Sequence, residues 1–290
     1  MKGRIIKGVA GSYEVYTDKG IIVCKPKGIF RKEHIKPLIG DAVTVEILPN
    51  EEGFGIISEI DDRKNELIRP HVANVDQALI VFALKNPEPN MVTLDKMILQ
   101  YSSQGIPVHI CFNKDDLVSE EYTGEILSTY ENFGGEVCLT SVKENVGIAK
   151  VKSLLLGRTT TVAGPSGVGK SSIINCLCED AVAGVGAISE KLLRGKHTTR
   201  HSEIIPIDTN TYIIDTPGFS SFDLFDIKAE QVGDYYNEFG KFTACRFMPC
   251  SHTHEPECGV KEAVSQKKIP LGRYENYVHI YNEINNSRRY

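Results

Sequence analysis

Three short segments of this chain carry residue types suited to a nucleoside triphosphate. Residues 164–171 read G-P-S-G-V-G-K-S and fit the pattern G-x-x-x-x-G-K-S. Glycines at 164, 167 and 169 free the backbone to fold around phosphate oxygens and aim successive N–H groups at them. A helix expected to start at the end of the loop adds partial positive charge. Lys170 is then placed to reach the β- and γ-phosphates and Ser171 to ligate Mg²⁺, with Pro165, Ser166, Val168 and Ser172 completing the stretch. Residues 113–116 read N-K-D-D and fit N-K-x-D. Asp116 offers two acceptor oxygens to guanine's N1–H and exocyclic amine, a donor pair that adenine lacks. Asn113 and Lys114 brace the loop and pack the base, with Asp115 between them and Asp116.

Residues 215–218 read D-T-P-G. Asp215 is the candidate to hold Mg²⁺ through water, and the Gly218 N–H to meet the γ-phosphate. In the loop 192–200 (LLRGKHTTR), either Thr198 or Thr199 closes on Mg²⁺ when the γ-phosphate is present, and Gly195 gives that loop freedom to order and disorder. Residues 141–143 (SVK) resemble a fifth motif, usually Ser-Ala-Lys, in which a backbone N–H reads the guanine oxygen; Ser141 and Val142 are the candidates here. Ras-type GTPases carry a glutamine just after D-x-x-G to orient the attacking water. Here the position is Phe219, so slow intrinsic turnover is expected. His197 is a candidate to orient or accept a proton from water; a solvent-facing or base-stacking role competes with that reading.

The order of these motifs is rotated. N-K-D-D precedes the phosphate loop, where an ordinary GTPase has it downstream. A circularly permuted domain follows.

Cys245, Cys250, His252 and Cys258 give C-x4-C-x-H-x5-C, three thiolates and an imidazole within 14 residues. That set suits one tetrahedral, structural Zn²⁺. His254 rivals His252 for the imidazole position. The remaining cysteines of the eight are scattered in apolar segments and read as reduced, buried small hydrophobes.

The elements that must position these groups can be read from periodicity and punctuation. Residues 1–68 hold short β-rich runs separated by glycines, the spacing of a small OB-like barrel. Among them, residues 25–36 (KPKGIFRKEHIK) carry five Lys or Arg against Glu33, with Phe30 in their midst. A basic loop with an aromatic on such a barrel holds single-stranded or irregular nucleic acid; an ordinary solvated loop has the same composition. From 69 to 222 strands and helices alternate, which implies a mostly parallel sheet. Both the base-reading and the phosphate-reading residues fall just past C-terminal strand ends, where open α/β sheets bind ligands. Residues 223–290 are less regular, hold the Cys/His cluster and end in a helical tail. The expected fold class is therefore multidomain α/β: an OB-like barrel, a circularly permuted P-loop GTPase domain and a zinc-binding domain.

With 290 residues, 41% hydrophobic content and a formal net charge of −5, the chain is an ordinary globular one whose overall charge announces no nucleic-acid partner. It shows neither a signal-peptide core nor an apolar run of bilayer length. A cytoplasmic monomer without a membrane partner is expected.

On N-K-D-D, G-P-S-G-V-G-K-S-S, G-K-H-T-T, D-T-P-G-F and the Cys/His cluster, the chain resembles the circularly permuted GTPases that act on the small ribosomal subunit (the RsgA type). The resemblance spans nearly the whole chain. It implies GTP hydrolysis to GDP and phosphate, stimulated by the small subunit late in that subunit's maturation. It also implies rRNA binding by the barrel and zinc held by Cys245, Cys250, His252 and Cys258. Val142 and Arg200 depart from the usual pattern. Two other classes compete: a regulatory GTP-binding module acting on a protein partner, and a P-loop kinase, which N-K-D-D together with D-T-P-G argues against.

Overall fold

The structure is a computed structural model that describes residues 1–48, 53–68, 70–182, 203–215 and 227–287, with the backbone alone for Arg31 and 179–182. Along the chain run β1 (Lys2–Val9), β2 (Ser12–Thr17), β3 (Gly20–Pro26), α1 (Gly28–Lys32), β4 (Ala42–Ile47), β5 (Phe54–Ile60), β6 (Glu66–Leu67), β7 (Val72–Ala73) and β8 (Gln77–Ala83). Next come α2 (Met91–Ser102), β9 (Val108–Asn113), α3 (Glu120–Tyr130), β10 (Val137–Thr140), α4 (Ile148–Leu155), β11 (Thr159–Ala163) and α5 (Lys170–Val182). The chain continues with β12 (Glu203–Pro206), β13 (Tyr212–Asp215), 3-10 turns at Ala229–Tyr235 and Asn237–Lys241, α6 (Gly259–Ser265) and α7 (Leu271–Ser287).

The contacts divide the described chain into two compact units that interleave in sequence. The first draws on Met1–Ala78, Ile148–Ala163 and Lys170–Gly218; the second draws on Leu79–Gly147, Gly164–Gly169 and Phe219–Tyr290.

In the first unit, β1-β2-β3-β5-β4 close into a barrel. All its pairings are antiparallel except β3 with β5, which run parallel with Val23 opposite Phe54. Alternating residues such as Ile5, Val15, Ile22, Val43, Val45 and Ile57 point inward and are buried, as half-buried strands require. In β1 the buried Ile5 stands among Lys2, Arg4 and Lys7, which blur its alternation in the sequence. The basic segment also differs from expectation. It is not a plain loop: Lys25 and Pro26 belong to β3, α1 follows, and Phe30 is 7% exposed within the barrel core. Phe30 is therefore a packing residue rather than a stacking platform. In the same unit β13 pairs parallel with β11 and antiparallel with β12. The barrel reaches these strands through Lys7–Glu203 at 3.1 Å and the Arg4 guanidinium 4.8 Å above the Tyr212 ring.

In the second unit, β10-β9-β8 are sheet neighbours, and β9 and β10 run parallel with Asn113 opposite Thr140. All seven residues of β8 are buried, as strands covered on both faces are. Asn90 caps α2 by accepting from the Thr93 N–H at 2.9 Å. Ser119 caps α3, whose first turn carries Glu120 and Glu121, a favourable placement at the positive end of a helix. In the Cys/His region Val232, Tyr236, Phe239, Val260, Ile269, Tyr277 and Ile280 share a core with Leu99 of α2.

Candidate nucleotide and metal sites

The phosphate loop leaves β11 and opens α5, as a triphosphate cradle needs. Two of its glycines are obligatory. Gly164 has φ +147°, and a Cβ there would sit 2.1 Å from the Val81 carbonyl oxygen. Gly169 has φ +101°, and a Cβ would sit 2.2 Å from Asn113 Nδ2. No other residue fits either place. Val168 is buried between them, while Ser166, Gly167, Ser171 and Ser172 are exposed and Pro165 is half-buried. Burial lowers the pKa of Lys170, and the charge of Asp215 acts against that shift. A partly desolvated ammonium at the head of α5 gains from a bound anion, because a phosphate supplies the counter-charge that water no longer does.

The guanine motif is tied to this loop by hydrogen bonds. Asn113, the last residue of β9, is buried; its Nδ2 donates to the Val168 carbonyl at 2.9 Å, and its Oδ1 accepts from Thr140 Oγ1 at 3.1 Å. Lys114 adopts a left-handed conformation with φ 65°, and its Nζ donates to the carbonyls of Gly167, at 2.8 Å, and Asn86. Asp115 turns away: its carboxylate accepts from Thr123 Oγ1 at 2.8 Å and fastens the motif to α3. Asp116 Oδ1 accepts from Ser141 Oγ at 2.6 Å, and Lys143 Nζ lies 3.9 Å from its other oxygen. The Ser141 hydroxyl in turn accepts from the Glu144 N–H at 3.2 Å. The Ser-Val-Lys segment therefore orients the Asp116 carboxylate with a side chain. Sequence reasoning missed Thr140. Its signal was available only through the strand register that sets it opposite Asn113.

The structure brings Cys245, Cys250, His252 and Cys258 together, with ligand atoms all within 4.8 Å of one another. Cys245 Sγ lies 3.8 Å from Cys258 Sγ, and His252 Nδ1 lies 3.6 Å from Cys245 Sγ and 3.2 Å from Cys258 Sγ. A tetrahedron with Zn–S near 2.3 Å and Zn–N near 2.05 Å has edges of about 3.8 and 3.6 Å, so the donor set fits such an ion. Burial lowers the pKa of His252, which favours the neutral imidazole that a metal takes. His254 stands outside the cluster, its side chain 83% exposed and its Nδ1 3.0 Å from Thr253 Oγ1.

Of the residues assigned to the γ-phosphate and water, Asp215 ends β13. His197, Thr198, Thr199 and Gly218, with Gly195 and Phe219, lie outside the described residues.

A sequence-family profile for the RsgA GTPase matches residues 60–225, and one for the RsgA N-terminal domain matches residues 2–57. The chain belongs to the RsgA GTPase family. A relative from Agathobacter rectalis described as "Small ribosomal subunit biogenesis GTPase RsgA" is 51% identical, covering 100% of both chains. One from Alkaliphilus metalliredigens with the same description is 43% identical over 100% of this chain and 99% of its own. Among solved structures, YjeQ from Thermotoga maritima superposes with a TM-score of 0.80 at 35% identity, covering 98% of each chain. YloQ, described as a circularly permuted GTPase, gives 0.79 at 34%, covering 99% of this chain and 95% of its own. The rotated motif order is thus the family's permuted GTPase fold, joined to an N-terminal barrel and a Cys₃His group able to hold a metal. An RsgA GTPase is a GTP hydrolase.

Proposed function

We propose that the chain binds the small ribosomal subunit late in its maturation and hydrolyses GTP to GDP and phosphate when that subunit stimulates it. The observation that carries this reading is the bond from Asn113 to the Val168 carbonyl. It makes base recognition and phosphate binding one preorganised site, in a chain whose relatives are described as small-subunit biogenesis GTPases.

In this reading Asp116 pairs with guanine N1–H and the exocyclic amine, held in orientation by Ser141. The N–H groups of 164–169 and Lys170 neutralise charge on the phosphates as the bond to the γ-phosphoryl group breaks. Ser171, with Asp215 through water, holds the Mg²⁺ that accompanies GTP, and Thr198 or Thr199 joins when the γ-phosphate is present. Gly218 donates its N–H to the γ-phosphate. Phe219 cannot orient water, so His197 or a group donated by the subunit does so, and the free chain turns over slowly. Cys245, Cys250, His252 and Cys258 hold one Zn²⁺ that fixes the loop between α6 and the 3-10 turns.

The barrel, residues 1–68, contacts rRNA through exposed Lys25, Lys32 and Lys36, whereas Phe30 stays in its core. Residues 69–222 form the GTPase domain and 223–290 the zinc domain. Among the described residues no helix is long and apolar enough to cross a membrane. In this reading the chain works on ribosomal particles in the cytoplasm as a monomer. GTP hydrolysis measured with and without purified small subunits tests the whole reading. Turnover unchanged by subunits would remove the ribosome from it.

A further inference from the structure

One turn of α7 faces two ways. Tyr274 and Tyr277 donate their hydroxyls to the carbonyls of His252, at 2.8 Å, and Ser251, at 2.5 Å. They hold the backbone of the loop that presents the imidazole. Arg273 and Asn276, on the neighbouring face of the same turn, reach Asp95 of α2. Arg273 Nη1 donates to Asp95 Oδ1, and Asn276 Nδ2 donates to Oδ2 at 2.9 Å. Arg273 Nε also donates to Glu238 at 2.7 Å, and its guanidinium lies 4.4 Å above the Tyr236 ring. Arg273 is 1% exposed and Asp95 equally buried, so neither charge has water to fall back on. A buried pair of this kind tolerates little displacement, since separating the partners leaves an uncompensated charge.

The path continues from Asp95 to the nucleotide site. Asp95 lies in the second turn of α2, whose cap is Asn90. The segment just before that cap carries Asn86, whose carbonyl accepts from Lys114, and Pro87, whose Cδ is 3.8 Å from where a Cβ on Gly167 of the phosphate loop would sit. Lys114 also donates to the Gly167 carbonyl. The metal loop, α7, α2 and the phosphate loop are therefore joined by hydrogen bonds that are buried at Arg273 and exposed at Lys114, within one compact unit.

We infer that metal occupancy of the Cys₃His site and affinity for guanine nucleotide are thermodynamically linked through the 273–277 turn. The inference rests on the reading of that site as a zinc site and of the loop as a GTP site. A Cys₃His loop without its ion loses the cross-link that orders it. The carbonyls of Ser251 and His252 then no longer fix Tyr274 and Tyr277, and the turn that carries Arg273 loosens against Asp95. Linkage is reciprocal, so bound nucleotide must strengthen metal retention by the same factor that metal strengthens nucleotide binding.

The test uses the full chain. GDP affinity is measured by fluorescence with a labelled GDP, before and after zinc is removed by chelator, with circular dichroism to follow the fold. The inference expects about tenfold weaker GDP binding after removal, a magnitude usual for coupled sites. If the stripped chain unfolds, the reciprocal arm decides: zinc release from the loaded chain to a competing chromogenic chelator, read at equilibrium, should fall by a similar factor at saturating GDP. The double variant Tyr274→Phe with Tyr277→Phe keeps the rings and removes the hydroxyls. It should still bind GDP when zinc-loaded, while the effect of GDP on zinc release falls below about threefold. Zinc release indifferent to GDP in the parent, or full linkage in the double variant, overturns the inference and leaves the zinc and GTP assignments standing. A chain that takes up no zinc overturns the metal assignment and the linkage together.

Discussion

Replacing Asn113 with alanine separates the two functions that its amide performs. Nδ2 holds the Val168 carbonyl of the phosphate loop at 2.9 Å, and Oδ1 holds the Thr140 hydroxyl at 3.1 Å. Both partners are buried. Each buried polar group left alone costs about 1–3 kcal/mol. The Val168 share falls on the conformation of the loop that binds phosphate, so it appears as lost affinity. At 1.4 kcal/mol per tenfold, GDP binding weakens by about 5- to 150-fold. The Thr140 share falls on the β9–β10 pairing and appears as about 1–3 kcal/mol of global stability, read as a lower urea midpoint. Thr140→Val is the control: it loses stability, keeps the Val168 bond, and should hold GDP within about threefold of the parent. Fluorescent GDP titration and urea unfolding on the same preparations give both numbers. An Asn113→Ala chain that is folded and binds GDP within threefold of the parent would refute the idea that this amide preorganises the phosphate loop.

Asp116→Asn removes the paired acceptors, so GTP binding should weaken while xanthosine triphosphate binding improves; unchanged GTP affinity would place guanine recognition elsewhere. Metal analysis of protein purified without chelator should find about one Zn²⁺ per chain. His252→Ala should lose that ion and His254→Ala keep it, and the opposite pattern would exchange their roles. Neutralising Lys25, Lys32 and Lys36 together should reduce small-subunit binding and flatten its salt dependence without changing free GTP affinity. Equal subunit binding by the triple variant would move the RNA contact off this segment.

The phosphate loop was legible in the sequence because its glycines report backbone constraints directly: at Gly164 and Gly169 the structure leaves no room for a Cβ. Asp116 stood out in the sequence as a candidate because guanine's donor pair admits few partners. The contacts of Asp115 and Ser141 were not legible. Which way a carboxylate turns depends on α3 and on the strand register, neither of which the local pattern encodes. Phe30 misled for a related reason. A single aromatic among lysines reads as exposed, yet α1 aims it into the barrel. The Arg273–Asp95 pair spans 178 positions and carries no local signature at all.

Single-turnover and steady-state GTP hydrolysis by the intact chain, with and without purified small subunits, tests the central claim most directly. The account predicts slow turnover alone, because Phe219 stands where a water-orienting glutamine would, and a large rise when subunits are added at low salt. His197→Ala should lower the stimulated rate more than it lowers GTP or subunit binding. A His197 variant that is still fully stimulated would assign the water-orienting group to the ribosome. Fast hydrolysis by the chain alone, unchanged by subunits, would contradict the account.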